Sequence, residues 1–205
     1  MTDVNTSKWT VPPASMTTIE ESDPAIVELM RNTAGFFPNS YRIMARNPEL
    51  TRAMRELALV VVYSGKVDIA LKWLVGHVAS RAAGCRYCSA HTANGVAKRS
   101  KVDAAKVDAV WDFERSSLFD GAERAALSLA LAAGATPNVS TQAHFEALRE
   151  YFSDDEILEI VAVIAFYGFW NRWNDTLVTP LEDQPLAFGL EHLQGSGWDP
   201  GKHGH

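Results

Sequence analysis

The chain has 205 residues, of which 47% are hydrophobic and 21% charged, the balance of a globular protein able to build one domain with a substantial core. Its formal net charge of -6 argues against a nucleic-acid backbone or an anionic membrane as partner, because either would repel it. No apolar run reaches the length that spans a bilayer; the longest, around Ile157 to Trp170, is interrupted by Glu159 and Gly168. The N-terminus carries acidic Asp3 and no apolar stretch of the secretory kind, so a cytoplasmic location is expected. There, two neighbouring cysteines point to catalysis or metal binding more than to a structural disulfide.

Residues 1–22 include Pro12-Pro13 and many Ser and Thr, and read as an extended arm. From Asp23 the pattern is helical. Asp23-Pro24 is an N-cap followed by proline at the first helical position, and that helix should stop at Gly35. Asn47-Pro48 opens a second helix through about Tyr63, with Leu50, Met54, Leu57 and Val61 as its stripe. After the Ser64-Gly65 turn, Asp68 caps a third helix that runs to Ala83 and ends at Gly84. A fourth helix runs to about Arg99, a fifth covers Val102 to Phe113, and a sixth Ala122 to Ala133. Pro137-Asn138 breaks the chain, Ser140 caps a seventh helix, and Ser153 with Glu156 forms a capping box for a long apolar eighth. Residues 23–179 form the expected domain. From Pro180 to residue 205 the chain reads as a tail, with His203 and His205 solvated. With no convincing strand pair, the fold class is all-α, an irregular helical bundle of about eight helices.

Both cysteines of the chain lie in Cys85-Arg86-Tyr87-Cys88-Ser89-Ala90-His91, at the head of the fourth helix. At about 100° per residue, Cys85, Cys88 and His91 fall within about 120° of one another. Orphan backbone N–H groups and the positive end of the helix dipole favour a thiolate in the first turn, and such surroundings can lower a thiol's pKa from near 8.5 to roughly 3.5–7.5. A thiolate can cleave a peroxide O–O bond to give a sulfenic acid, which a second thiol condenses to a disulfide. Two other readings remain open from these residues. The cysteines can simply fill buried space, or Cys85, Cys88, His91 and the remote His77 can bind zinc, although structural zinc sites usually draw on two separated ligand pairs.

A second polar cluster interrupts the last helix. Asn171, Asn174 and Asp175 share a face, and Arg172 is placed to pair with Asp175. Arg172 can equally hold a carboxylate or peroxide-bearing acid with its planar fork, whereas the structural reading is a buried network that fixes helix packing.

The run Gly84-Cys-x-Tyr-Cys-x-x-His-Thr-Ala in an all-helical chain resembles the alkylhydroperoxidase D-like branch of the carboxymuconolactone decarboxylase superfamily. The resemblance extends from about Phe36-Phe37-Pro38-Asn39 to Asn171-Arg172. It implies an all-helical fold assembling as trimers or hexamers, with Cys88 attacking peroxide, Cys85 resolving the sulfenic acid and His91 relaying the proton. The chain departs from that pattern twice. The histidine lies three residues after the second cysteine rather than four, leaving Thr92 in the usual slot, and the position of the relay glutamate, twelve before the first cysteine, holds Trp73. His77 shares a face of the third helix with Trp73 and is a candidate replacement for the missing base.

The expected function is therefore a thiol-dependent peroxidase or disulfide oxidoreductase acting on organic hydroperoxides. Its candidate catalytic residues are Cys88, Cys85, His91 and His77; Tyr87, Thr92, Trp73, Asn171 and Arg172 are candidate substrate contacts. It would use no cofactor and no metal, and an external thiol or dithiol would reset the pair. A decarboxylase or isomerase acting on a small organic acid, and a non-enzymatic redox-sensing oligomer, are the alternatives.

Overall fold

The computed structural model describes residues 24–99 and 104–204. Among these the chain forms ten α-helices and no strand, so the all-α class holds. They are α1 Pro24–Ala34, α2 Asn39–Met44, α3 Pro48–Val61, α4 Ile69–Ala82, α5 Arg86–Arg99, α6 Ala104–Asp108, α7 Gly121–Gly134, α8 Gln142–Arg149, α9 Asp154–Leu177 and α10 Asp183–His192. The expected arm, residues 1–22, the Asp23 cap and His205 lie outside the described residues.

The helix starts follow local chemistry. Asn47 and Asp68 accept the backbone N–H groups of Leu50 and Ala70 at 3.0 and 2.7 Å, satisfying donors that a helix start leaves free. Ser153 and Glu156 close the expected capping box of α9. Helix α8 begins one residue later than expected: Thr141, not Ser140, is its N-cap, and it shares a capping box with His144. The expected fifth helix is shorter than its pattern, because α6 ends at Asp108 and gives way to a single tight turn over Val110–Asp112.

Helix α4 is the axis of the bundle. All ten residues from Leu71 to Ser80 are buried, as expected of a helix surrounded on every side, and it packs on α5, α7 and α9. Burying side chains such as Leu74, Val75 and Val78 contributes about 1.5–3 kcal/mol each. Two close approaches need glycine. A Cβ on Gly76 would lie 2.2 Å from the Tyr167 ring, and one on Gly95 would lie 2.4 Å from the Trp73 ring. These glycines let α9 and α5 close on α4 and seat both rings at the functional site.

Two elements depart from the expected count. A short helix, α2, follows Pro38. The segment expected as a tail is instead part of the body: Leu181, Leu193, Trp198 and His203 are buried, Leu181 N–H donates to the His203 carbonyl at 2.9 Å, and the Trp198 indole donates to the Arg86 carbonyl at 3.2 Å. His203, expected in solvent, donates from Nδ1 to the Thr179 carbonyl at 2.8 Å, because a carbonyl only accepts. The C-terminal segment thus lies against the start of α5, where the cysteines are.

Candidate active site

Gly84, at φ +75°, turns the chain sharply from α4 into α5. Cys85 sits immediately before the first turn of α5 and Cys88 within it. Both are buried and both are free thiols. The Cys88 N–H points at Cys85 Sγ, 3.2 Å away, so the first sulfur occupies the place of a helix-capping oxygen. The second sulfur accepts from the Asn174 side-chain amide at 3.5 Å, which brings α9 into the site.

The expectation of a lowered thiol pKa fails at Cys88. Burial pushes it well above 9, the Cys85 sulfur pushes in the same direction, and the Asn174 donor opposes them only in part. Desolvation is the largest of these causes. Cys88 is therefore a thiol at rest and needs a base to become a nucleophile.

His91 follows one turn later on α5, and its partner is a residue that sequence reasoning missed. His91 Nε2 lies 2.6 Å from Glu182 Oε2, and Glu182 caps α10 in the supposed tail. The other carboxylate oxygen accepts from the Tyr87 hydroxyl at 3.0 Å and from the Asn39 backbone N–H. Burial alone would raise the Glu182 pKa, but the His91 charge and hydrogen bond and the Asn39 N–H reverse this, and the net shift is downward. Glu182 is thus an anion beneath the imidazole. The His91 ring is also stacked on Tyr87, centroids 4.2 Å apart. Carboxylate and stack together fix its orientation, as an acid does for a catalytic histidine. The carboxylate missing at Trp73 is supplied by a residue 91 positions beyond His91. No local pattern marks it; the one signal is an acid directly ahead of a helix after Pro180.

His77 is brought near the motif but not into the cavity. Its Nδ1 lies 3.0 Å from Thr92 Oγ1. The Thr92 hydroxyl directs its single proton to the carbonyls of Cys88 and Ser89, so Nδ1–H is the donor to Thr92. Complete burial and the nearby Arg81 charge lower the His77 pKa to about 3. His77 is a neutral imidazole behind the motif, bonded to Thr92.

The sulfur and the imidazole open into one cavity of about 320 Å³. Tyr41, Tyr63, Trp73, Tyr87, Phe166, Tyr167 and Trp170 supply its aromatic rings, and Cys88, His91, Thr92 and Asn174 lie on its wall. Three of the expected substrate contacts, Tyr87, Thr92 and Trp73, are there. Asn171 is buried elsewhere in the bundle, and Arg172 is exposed and reaches Thr136 at 3.5 Å. The expected Arg172–Asp175 pair does not form; Asp175 faces Lys202 at 3.0 Å and His203 at 3.5 Å. Among the described residues no three His, Cys, Asp or Glu side chains converge as a metal site requires.

Fold and site together define a helical protein with a buried dithiol and a His–Glu pair. Residues 48–132 match the carboxymuconolactone decarboxylase family. The debrominase Bmp8, solved as a cysteine-to-alanine variant in complex with 2,3,4-tribromopyrrole, is similar at 35% identity; the match covers 82% of this chain and 89% of that one, with a TM-score of 0.76. Two peroxidase-related proteins share the fold. One is an alkylhydroperoxidase AhpD-core protein from Ralstonia eutropha (23% identity, 83% of this chain and 92% of that one, TM-score 0.72). The other is from a Silicibacter species (19% identity, 86% and 92%, TM-score 0.72). No curated protein matches the chain. The chain belongs to the carboxymuconolactone decarboxylase family.

Proposed function

We propose that the chain is a dithiol oxidoreductase that reduces a small organic acceptor held in the ring-lined cavity. Cys88 is the attacking sulfur, Cys85 the resolving sulfur, and His91, held by Glu182, the base. The carrying observation is the position of Cys88 and His91 on the wall of a cavity lined by seven Phe, Tyr and Trp rings, a volume and chemistry suited to an organic molecule rather than to hydrogen peroxide alone.

The first step is proton transfer. His91 takes the Cys88 proton and becomes an imidazolium over the Glu182 carboxylate, which stabilises the charge pair in a site of low dielectric. Two acceptors fit the thiolate that results. With an organic hydroperoxide, the O–O bond breaks, the alcohol leaves with the His91 proton, and Cys88 becomes a sulfenic acid. Cys85 then displaces water and forms the disulfide. With a halogenated aromatic, the carbon–halogen bond breaks, the ring carbon gains a proton, and the halogen leaves as halide while the two thiols become a disulfide. Each reaction transfers two electrons from the dithiol, and an external thiol or dithiol restores it. The flat, ring-lined walls and the 35% identity to a debrominase favour the halogenated aromatic; the hydroperoxide is the second reading, favoured by the same dithiol–histidine arrangement.

The test is thiol counting on the reduced protein, with a brominated pyrrole and with cumene hydroperoxide. The expected result is loss of two thiols per molecule of acceptor reduced, with bromide released in one case and cumyl alcohol in the other. Cys88→Ser should abolish both. Thiols that stay inert to both acceptors, or product formation that continues without Cys88, would refute the reading.

A further inference from the structure

One residue on the cavity wall has no part in the chemistry above. Arg55 lies on α3 and, with Ala58, Leu59 and Val62, forms the face of that helix that lines the cavity, at spacings that share one side of a helix. Among the described lining residues it is the only one with a fixed charge; the others are apolar, aromatic, neutral polar, a thiol or an imidazole. Its Nε is inaccessible and has no hydrogen-bond partner. No ion pair within 4.0 Å is formed by its guanidinium among the described residues, whereas Arg86, Arg115 and Arg149 each have one. Arg55 is half-buried as a whole, but its inaccessible Nε–H without a partner is costly to maintain, and its planar fork matches a carboxylate in two parallel hydrogen bonds.

The structure assigns to Arg55 the recognition of an anionic group on an aromatic substrate. The substrate class is a small ring compound bearing a carboxylate or comparable anion, its ring among Tyr41, Trp73 and Trp170 and its charged end toward α3. This rests on the reading of the cavity as the substrate site and narrows it: neutral aromatics would enter the same space and bind more weakly. Arg55 would act in selection, through binding, and not in the transfer of electrons.

The probe pair is 2-naphthoate and 2-naphthamide, alike in shape and different in charge, titrated into the reduced full-length protein by calorimetry. Neither can oxidise a thiol, so the result is independent of whether the dithiol reacts. Charged hydrogen bonds of this kind set the expectation that naphthoate binds about 10-fold or more tighter than the amide. Arg55→Gln should remove the preference while leaving naphthamide binding unchanged, and Arg55→Lys should retain part of it. Equal binding of the two probes by the native protein, a preference that persists in Arg55→Gln, or binding of neither probe would overturn the assignment. If thiol counting fails while the charge preference stands, the dithiol reading falls and the anion site does not.

Discussion

Replacing Glu182 by Gln isolates the charge that the C-terminal segment contributes to the dithiol site. Gln has nearly the same shape and keeps one oxygen to accept from Asn39 and Tyr87, so the packing around α10 should survive. It removes the anion 2.6 Å from His91 Nε2. A hydrogen bond to a charged group contributes about 1.5–3 kcal/mol. In this mechanism that contribution is largest when His91 has taken the Cys88 proton, so the loss falls on the barrier. The expected cost is roughly 10–100-fold in the rate of the Cys88 reaction. The assay is alkylation of Cys88 by a neutral haloacetamide in a Cys85→Ser background, followed against pH by mass spectrometry. Thermal unfolding of the same variant checks that the fold is intact. An alkylation rate and pH profile unchanged in a folded Glu182→Gln protein would refute the relay and reduce Glu182 to a structural cap.

Two further perturbations test the scaffold. The folded pKa of His77 is about 3 against an ordinary value of 6.5, so below pH 6.5 the unfolded chain binds a proton that the folded one refuses. Stability therefore falls with falling pH between 6.5 and 3, by about 1.4 kcal/mol per unit and on the order of 3 kcal/mol at pH 4. Denaturant unfolding of His77→Gln should show that slope removed; equal acid sensitivity in the two proteins would sink the argument. Lys72 is 1% exposed and is neutralised by Glu159 at 2.9 Å, which also accepts the N–H groups of Lys66 and Val67 at 2.9–3.1 Å. Glu159→Gln leaves a buried ammonium without its counter-charge and should cost about 3 kcal/mol, seen as a lower unfolding midpoint. No change in midpoint would mean that water reaches Lys72.

The helices whose starts carry capping residues were legible from the chain, because a cap is a local bond between residues two or three apart. Asn47, Asp68 and Ser153 declare α3, α4 and α9 in that way. The motif was legible for the same reason: Cys85, Cys88 and His91 belong to one helix start. What could not be read locally is anything that depends on which distant segment covers the motif. Glu182 is an ordinary acid in a stretch rich in proline and glycine until Leu181 and Trp198 bury that stretch against α5. His77 was misplaced for a related reason. Periodicity shows that it shares a face of α4 with Trp73, but not that its imidazole meets the Thr92 hydroxyl of α5. Arg172 sits on the same helix as Asn174, yet its 100° offsets send it outward while Asn174 reaches Cys88.

The raised pKa of Cys88 fits the proposed role. A dithiol left as an exposed thiolate would be oxidised by any passing peroxide, because reactivity follows thiolate character and access. Here burial keeps the sulfur protonated, and the proposed base lines the same cavity, held by residues from α2, α5 and the start of α10. Asn39, Tyr87 and Glu182 hold His91 in one orientation before any substrate arrives. Filling the cavity with an apolar molecule expels water from around that pair and strengthens its electrostatics. Substrate binding and thiolate formation are then linked: the site that desolvates the sulfur also makes the His91–Glu182 charge pair most effective. On the proposed mechanism the C-terminal segment supplies the counter-charge of the base, and truncation before Glu182 should leave Cys88 inert to haloacetamide alkylation.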